Sequence, residues 1–270
     1  MSVKNNFKTF AKKSFGQNFL VDRNYISKII RALNPQPGEI IIEIGAGRGA
    51  LTENLIESGA NVIAVELELN MIAVLRERFA GRENFNLVES DALKVSFDEI
   101  INRKSQIANR KFLKLVANLP FNISTAILQR LIEQRGVFTE MILMFQREVV
   151  ERIAAQTGNS ARGFLTVMTE AYLETEKLFD VPPKAFLPAP KVWSAVVRMK
   201  PKATVEIENE EFFRKIVSAG FRQKRKTIMN NLKNEFGNAE KVLADCGIDK
   251  QRRAETLTIE EWKCLTKYKH

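Results

Sequence analysis

Apolar positions in the first 150 residues fall into short runs that switch between two periods. YISKIIRALN (25–34) spaces its apolar side chains along one helix face, and Pro35 and Pro37 end it. EIIIEI (39–44) is an apolar run of strand length that stops at glycines. LTENLIESG (51–59) predicts a helix closed by Gly59, NVIAVE (61–66) a second strand, and NMIAVLRERFAG (70–81) a striped helix that again ends at Gly. FNLVESDAL (85–93) contains a third strand, KFLKLVA (111–117) is a fourth, TAILQRLIEQ (125–134) is a helix and EMILMFQ (140–146) a fifth strand. Strands alternating with helices at this spacing predict an α/β fold with a doubly wound, mostly parallel sheet.

The pattern then changes. EVVERIAAQ (148–156) reads as helix and the polar TGNSARG (157–163) as an exposed loop. FLTVMTEAYLETEKLFDV leads into the proline-punctuated VPPKAFLPAPKVW, and WSAVVRM (193–199) is a late strand. From about residue 205 every periodic segment is helical: EEFFRKIVSAGF, KTIMNNLKNEF, AEKVLADCG and IEEWKCLTKY. The natural division is a larger domain over 1–200, with a basic arm over 1–22, and a small all-helical domain over 201–270.

Composition narrows the chemistry. A chain of 270 residues that is 45% hydrophobic can bury a sizeable core, and no stretch approaches the about 20 apolar residues of a membrane span. MSVKNNFKTFAKKSFGQ holds no apolar run of the signal-peptide kind. The one histidine is His270, so a His-based triad or multi-His metal site is excluded, and no metal is expected. Cys246 and Cys264 have no C-x-x-C spacing and read as reduced cytoplasmic thiols. Net charge is +10, split as +6 over residues 1–35, −4 over 36–180 and +8 over 181–270. An acidic centre between basic ends suits a catalytic body whose flanks grip a polyanion. Lys4, Lys8, Lys12 and Lys13, with Arg222, Lys224, Arg225 and Lys226 of FRQKRK, are the candidate phosphate contacts.

The first strand runs into Glu43-Ile-Gly45-Ala-Gly47-Arg-Gly49-Ala50. Glycines there permit a tight strand-to-helix turn and close backbone approach of a ligand. The run fits both the dinucleotide fingerprint G-x-G-x-x-A and the E-x-G-x-G-x-G loop that holds S-adenosylmethionine. Glu66 ends the second strand, where a carboxylate can accept ribose hydroxyls of either cofactor. Asp91 follows the third strand, where an acid can accept from an adenine amino group. Either acid alone reads as a cap or a solvated side chain; three successive strand ends carrying such groups point to one ligand site.

The fourth strand then delivers Asn118-Leu119-Pro120-Phe121 to the same sheet edge. The exocyclic N6 of adenine has its lone pair delocalised into the ring, and its proton leaves easily once the nitrogen is alkylated. A strong base is therefore not needed. Acceptors are needed, to hold the N6 hydrogens and aim the nitrogen at a methyl carbon. The Asn118 side chain can supply one and the Leu119 or Pro120 carbonyl another, while Phe121 offers a stacking face to a flipped base. As a plain turn, Asn would cap, Pro set the bend and Phe pack inward; the glycines and acids upstream weigh against that.

With these motifs in hand, the chain resembles the ribosomal RNA adenine N6-dimethyltransferases, closest to their bacterial small-subunit branch. The likeness runs through SFGQNFLVD, EIGAGRGALTE, VIAVE, SDAL, VANLPFNIST, MFQREVVERI, FDVPPKAFLPAPKVWSAVVRM and FRQKRKTIMNNL to RAETLTIEEW. It implies a Rossmann-like class I methyltransferase sheet, S-adenosylmethionine as methyl donor, and two adjacent adenosines in a hairpin loop near the 3′ end of small-subunit rRNA as substrate, each methylated twice. It implies an RNA-binding helical domain, a pre-ribosomal particle as partner, and a monomer in the cytoplasm. By the same likeness Asn18 and Leu20 touch the cofactor, Gly45 and Gly47 lie at its methionine part, Glu66 at the ribose, Asp91 at the adenine, and Asn118 beside the methyl centre. Phe121 stands where Tyr is common in the family, and SDAL where GDAL is common. The alternatives are a large-subunit methyltransferase of the macrolide-resistance type, a mainly non-catalytic assembly factor, and an NAD-dependent reductase that would share only the glycine turn.

Overall fold

The fold is that of a computed structural model, which describes residues 18–103 and 113–268. In chain order its elements are β1 (Phe19–Leu20), α1 (Arg23–Leu33), β2 (Ile40–Ile44), α2 (Ala50–Glu57), β3 (Asn61–Glu66), α3 (Leu69–Arg78), β4 (Phe85–Glu89), α4 (Phe97–Arg103), β5 (Leu113–Asn118), α5 (Ser124–Glu133), β6 (Glu140–Gln146) and α6 (Arg147–Ile153). There follow α7 (Phe164–Tyr172), β7 (Leu173–Val181), β8 (Phe186–Leu187), β9 (Ser194–Pro201), α8 (Glu210–Gly220), α9 (Ile228–Leu232), α10 (Ala239–Asp245) and α11 (Ile259–Thr266). Lys4, Lys8, Lys12, Lys13 and His270 lie outside the described residues.

Seven strands form one sheet in the order β4-β3-β2-β5-β6-β9-β7. The pairs β2–β3, β2–β5, β3–β4 and β5–β6 are parallel, and β9 runs antiparallel to β6. The chain reverses its strand order beside β2, between β3 and β5, and this switch point is where an open α/β sheet holds its ligand. The apolar runs explain the order. All five residues of β2 are buried, as a strand covered on both faces requires, whereas β4 at the edge is half-exposed. The α1 helix starts at Asp22, whose carboxylate accepts from the Asn24 amide at 2.9 Å, and stops at Asn34 in the left-handed conformation, before the prolines.

The chain divides into two compact units, residues 1–150 with 175–201, and residues 151–174 with 202–270. The second therefore takes 151–174 as well as the segments after Pro201. Within it Tyr172 meets Phe213 edge-on at 6.0 Å, and the core gathers Trp262, Phe213, Ile216, Leu232, Leu243 and Leu265, all fully buried. Gly220 is required there because a Cβ on it would come within 2.4 Å of the Trp262 ring.

Three sequence expectations are corrected. The loop 157–163 is not wholly exposed: Arg162 is buried, pairs with Glu170 at 2.6 Å and donates to the Ala155 carbonyl at 3.3 Å. A buried guanidinium needs such partners, and sequence polarity alone does not reveal them. The helix expected over 226–236 is confined to Ile228–Leu232, beyond which the chain turns and the Glu235 backbone amide donates to the Leu232 carbonyl at 2.9 Å. The expected free thiols are instead a disulfide, Cys246–Cys264. The end of α10 and the body of α11 bring the two Cα atoms to 5.8 Å, within bridging range, across a separation of 18 residues that carries no sequence signature.

Candidate active site

The residues singled out in the sequence converge on one cleft in the first unit, about 660 Å³ in volume. Asn18, Leu20, Gly45, Gly47, Glu66, Asn118, Leu119, Pro120 and Phe121 all line it. Parallel strands β2, β3 and β5 end at the same edge, which is why the glycine turn after β2, Glu66 at the end of β3 and Asn118 at the end of β5 meet.

The floor is the turn from β2 into α2. Gly45 and Gly47 adopt φ of +69° and +56°, conformations that side chains disfavour, and the Gly45 amide donates to the Val65 carbonyl at 2.9 Å. A Cβ on Gly47 would come within 3.1 Å of the Phe19 ring, and one on Gly45 would reach the Asn118 carbonyl at 4.0 Å. The glycines thus keep the cleft open between the turn, the arm and the end of β5.

Glu66 binds this turn to β3. Its Oε2 accepts the Gly47 amide at 2.9 Å, and its Oε1 accepts the Leu67 and Glu68 amides at 2.9 and 3.0 Å. Three backbone donors orient a carboxylate that is 8% exposed. A carboxylate has about four acceptor directions, so Oε2 keeps one for a ligand hydroxyl.

Glu43 lies beneath, 2% exposed, and its carboxylate accepts from the Thr52 hydroxyl at 2.6 Å. Burial pushes its pKa up to about 7, with the Glu66 charge adding to the rise and the Thr52 bond opposing it. In the sequence Glu43 opens the glycine motif, and the motif alone assigns it no role. The signal was an acid inside an otherwise apolar strand. Arg48 was also passed over: its guanidinium stands 5.1 Å from the Phe19 ring centre, and burial lowers its pKa.

The wall opposite the glycines is Asn118 to Phe121. Asn118 Nδ2 donates to the Asn18 carbonyl at 3.2 Å, tying the end of β5 to the arm. The Pro120 carbonyl accepts the Ile123 amide at 3.2 Å, and that of Phe121 accepts the Ser124 hydroxyl at 3.2 Å. The Leu119 carbonyl accepts no hydrogen bond among the described residues. The geometry therefore separates the two carbonyls that the sequence left equivalent, since Pro120 is spent on its own turn and Leu119 is not.

Asn18 and Leu20 are placed by a short pairing, Phe19 opposite Leu187 and Leu20 opposite Phe186, and by the Val21 amide donating to the Ala185 carbonyl at 2.9 Å. Asp91 is the site residue not brought to the cleft lining. It stands half-buried past the end of β4, with its carboxylate accepting the Leu93 amide at 3.0 Å. In the second unit Arg222, Lys224, Arg225 and Lys226 are exposed in the turn after α8. Arg222 pairs with Glu235 at 3.1 Å, while Lys224, Arg225 and Lys226 enter no ion pair among the described residues.

The site fits S-adenosylmethionine on its own geometry. Positive-φ glycines leave room that a Cβ would fill, a fixed carboxylate stands at the end of the second strand, and the volume is in the range of small-molecule sites. Comparison with known proteins agrees. The family model described as "Ribosomal RNA adenine dimethylase" matches residues 8–270. A protein of Hahella chejuensis named "Ribosomal RNA small subunit methyltransferase A" is 40% identical over 260 residues, covering 96% of this chain and 92% of that one. One of the same name from Moorella thermoacetica is 41% identical over 263 residues, covering 95% and 91%. Among solved structures, a dimethyladenosine transferase from Plasmodium falciparum superposes with a TM-score of 0.77 at 27% identity, covering 92% of this chain and 95% of that one. The 23S rRNA methyltransferase ErmE does so with 0.67 at 25% identity, covering 93% and 99%.

Proposed function

The chain belongs to the ribosomal RNA adenine dimethylase family and is an S-adenosylmethionine-dependent rRNA adenine dimethyltransferase, and we propose that its target is a pair of adjacent adenosines in a hairpin loop near the 3′ end of small-subunit rRNA. The meeting, in one cleft, of the glycine turn, the Glu66 carboxylate and Asn118-Leu119-Pro120-Phe121 carries the adenine transfer, and the likeness to relatives named for the small subunit supports the target.

S-adenosylmethionine supplies a methyl group activated by its sulfonium. Gly45, Gly47, Glu66, Asn18 and Leu20 would hold it, with Glu66 Oε2 accepting a ribose hydroxyl. Asp91 is assigned to the adenine end, two residues beyond Glu89, which pairs with Glu66 across β3 and β4. The target base enters beside Phe121, which stacks on it. Asn118 Oδ1 and the Leu119 carbonyl accept the two N6 hydrogens and orient the nitrogen for an in-line displacement. Each transfer would release the neutral thioether as leaving group and one N6 proton to water; after the first, one hydrogen remains, and one of the two acceptors holds it for the second. Arg222, Lys224, Arg225 and Lys226 hold phosphates of the surrounding RNA. The enzyme acts as a cytoplasmic monomer on an immature small-subunit particle. No described helix is long and apolar enough to cross a membrane.

The test is methyl transfer from labelled S-adenosylmethionine to small subunits lacking the modification, with large-subunit RNA in parallel, followed by nucleoside analysis. N6,N6-dimethyladenosine confined to the small subunit is the expected product. Label confined to large-subunit RNA would make this a large-subunit enzyme. Tight particle binding with no label would make it an assembly factor.

A further inference from the structure

We propose that Trp193 stacks on a nucleotide of the RNA substrate next to the target adenosine, forming a second base platform beside Phe121. The proposal rests on the reading of the chain as an RNA methyltransferase and adds a residue to which the cleft itself gives no role.

Trp193 is 47% exposed, unusual for an aromatic of this size, and its neighbour Val192 is 40% exposed. The indole is not on a loose tip. Ser194, the next residue, is buried and pairs with Gln146 at the end of β6, and the Arg147 amide donates to the Trp193 carbonyl at 2.9 Å. The backbone under the ring is therefore fixed.

The sheet register places it. Asn118 in β5 pairs with Met144 in β6, and Met144 pairs with Val196 in β9. Because β9 is antiparallel, the residues before Val196 lie towards the C-terminal ends of β5 and β6, the edge where the base must enter. Trp193 is two strands sideways from Asn118 and three residues outward, which puts the two Cα atoms roughly 14 Å apart at ordinary strand spacings. A neighbouring nucleotide of the same strand spans such a distance. Lys191, two residues before the indole in sequence, and Arg147, whose amide bonds the Trp193 carbonyl, are both exposed and add positive charge to this segment. Exposed aromatic faces are the platforms on which single-stranded RNA stacks, and any base can supply the partner.

The chain has two tryptophans, and the other, Trp262, is fully buried, so Trp193 emission can be read directly against a constant background. The probe is a single-stranded oligoadenylate, and Trp193→Ala is the blank. Quenching in the wild type that is absent in the blank is expected; no quenching of Trp193 overturns the proposal. The second arm is turnover on unmethylated small subunits. Trp193→Ala should raise KM roughly tenfold with cofactor affinity and melting temperature unchanged, and Trp193→Phe should restore most of it. Wild-type KM in Trp193→Ala overturns the proposal. So does a raised KM with no quenching by RNA, which would assign the ring to a ribosomal protein. Quenching by RNA in a protein that methylates nothing leaves the stacking standing and removes the enzymatic reading instead.

Discussion

At the scale of single residues, Asn118 and Glu43 make contrasting predictions. Asn118→Ala removes one of the two N6 acceptors and the tie to Asn18. Transfer should fall by about 10²–10³-fold, as when a positioned transition-state partner is lost. RNA binding, measured by filter retention of the particle, should persist; turnover near wild type would remove Asn118 from the reaction. Glu43 concerns stability. Its folded pKa of about 7 lies above the ordinary 4.5, so its contribution is fully present below pH 4.5, decays as pH rises, and is gone above about pH 7. Glu43→Gln keeps an acceptor for Thr52 and has nothing to ionise. It should be more stable than wild type at pH 8, by up to about 3 kcal/mol, with the gap closing towards pH 4.5 in thermal unfolding. Both residues stand inside motifs visible in the sequence. What sequence could not reveal was partition of labour: that the Pro120 carbonyl is taken by Ile123 and the Leu119 carbonyl is not, or that an acid inside an apolar strand is buried beside a second one.

At the scale of elements, the glycine turn is where conformation and packing are both demanding. Gly49 has φ of +80°, and a Cβ there would come within 2.6 Å of the Phe79 ring. Gly49→Ala should cost about 2–4 kcal/mol, combining left-handed strain with overpacking, as read by denaturant unfolding. An unchanged midpoint would show that α3 can shift to admit it. The strands of the first unit were legible because each is an apolar run bounded by glycine or a polar turn, as with IIIEI before Gly45. Elements whose partners are distant in sequence were not. The two-residue β1 carries no periodicity of its own and exists only because Phe186 and Leu187 pair with it. The Tyr172–Leu173 boundary, where α7 becomes β7, has no breaker residue at all. Lys233-Asn234-Glu235 looked like helix, yet there a turn held by Glu235 ends α9 early.

At the scale of the whole molecule, charge is the informative quantity. Lys224, Arg225 and Lys226 are exposed and enter no ion pair among the described residues, whereas Arg222 shares Glu235 with Lys215. Replacing any of the first three by Ala should flatten the slope of log affinity against log salt by just under one unit each, with the largest loss at low salt. Arg222→Ala should change it less. Equal slopes for all variants would place the RNA elsewhere. The net +8 over residues 181–270 made this region legible from the sequence as a polyanion surface; which of its cations are neutralised at home required the structure.

The pairing of Phe19 and Leu20 with Leu187 and Phe186 also bears on the birth of the protein. The arm that walls the cofactor cleft is synthesised well before its partner strand, since Phe186 is translated 166 residues after Leu20. Until Leu187 has cleared the exit tunnel the cleft lacks one side. A nascent chain still short of that point carries the glycine turn and Asn118 without the strand that holds the arm in place.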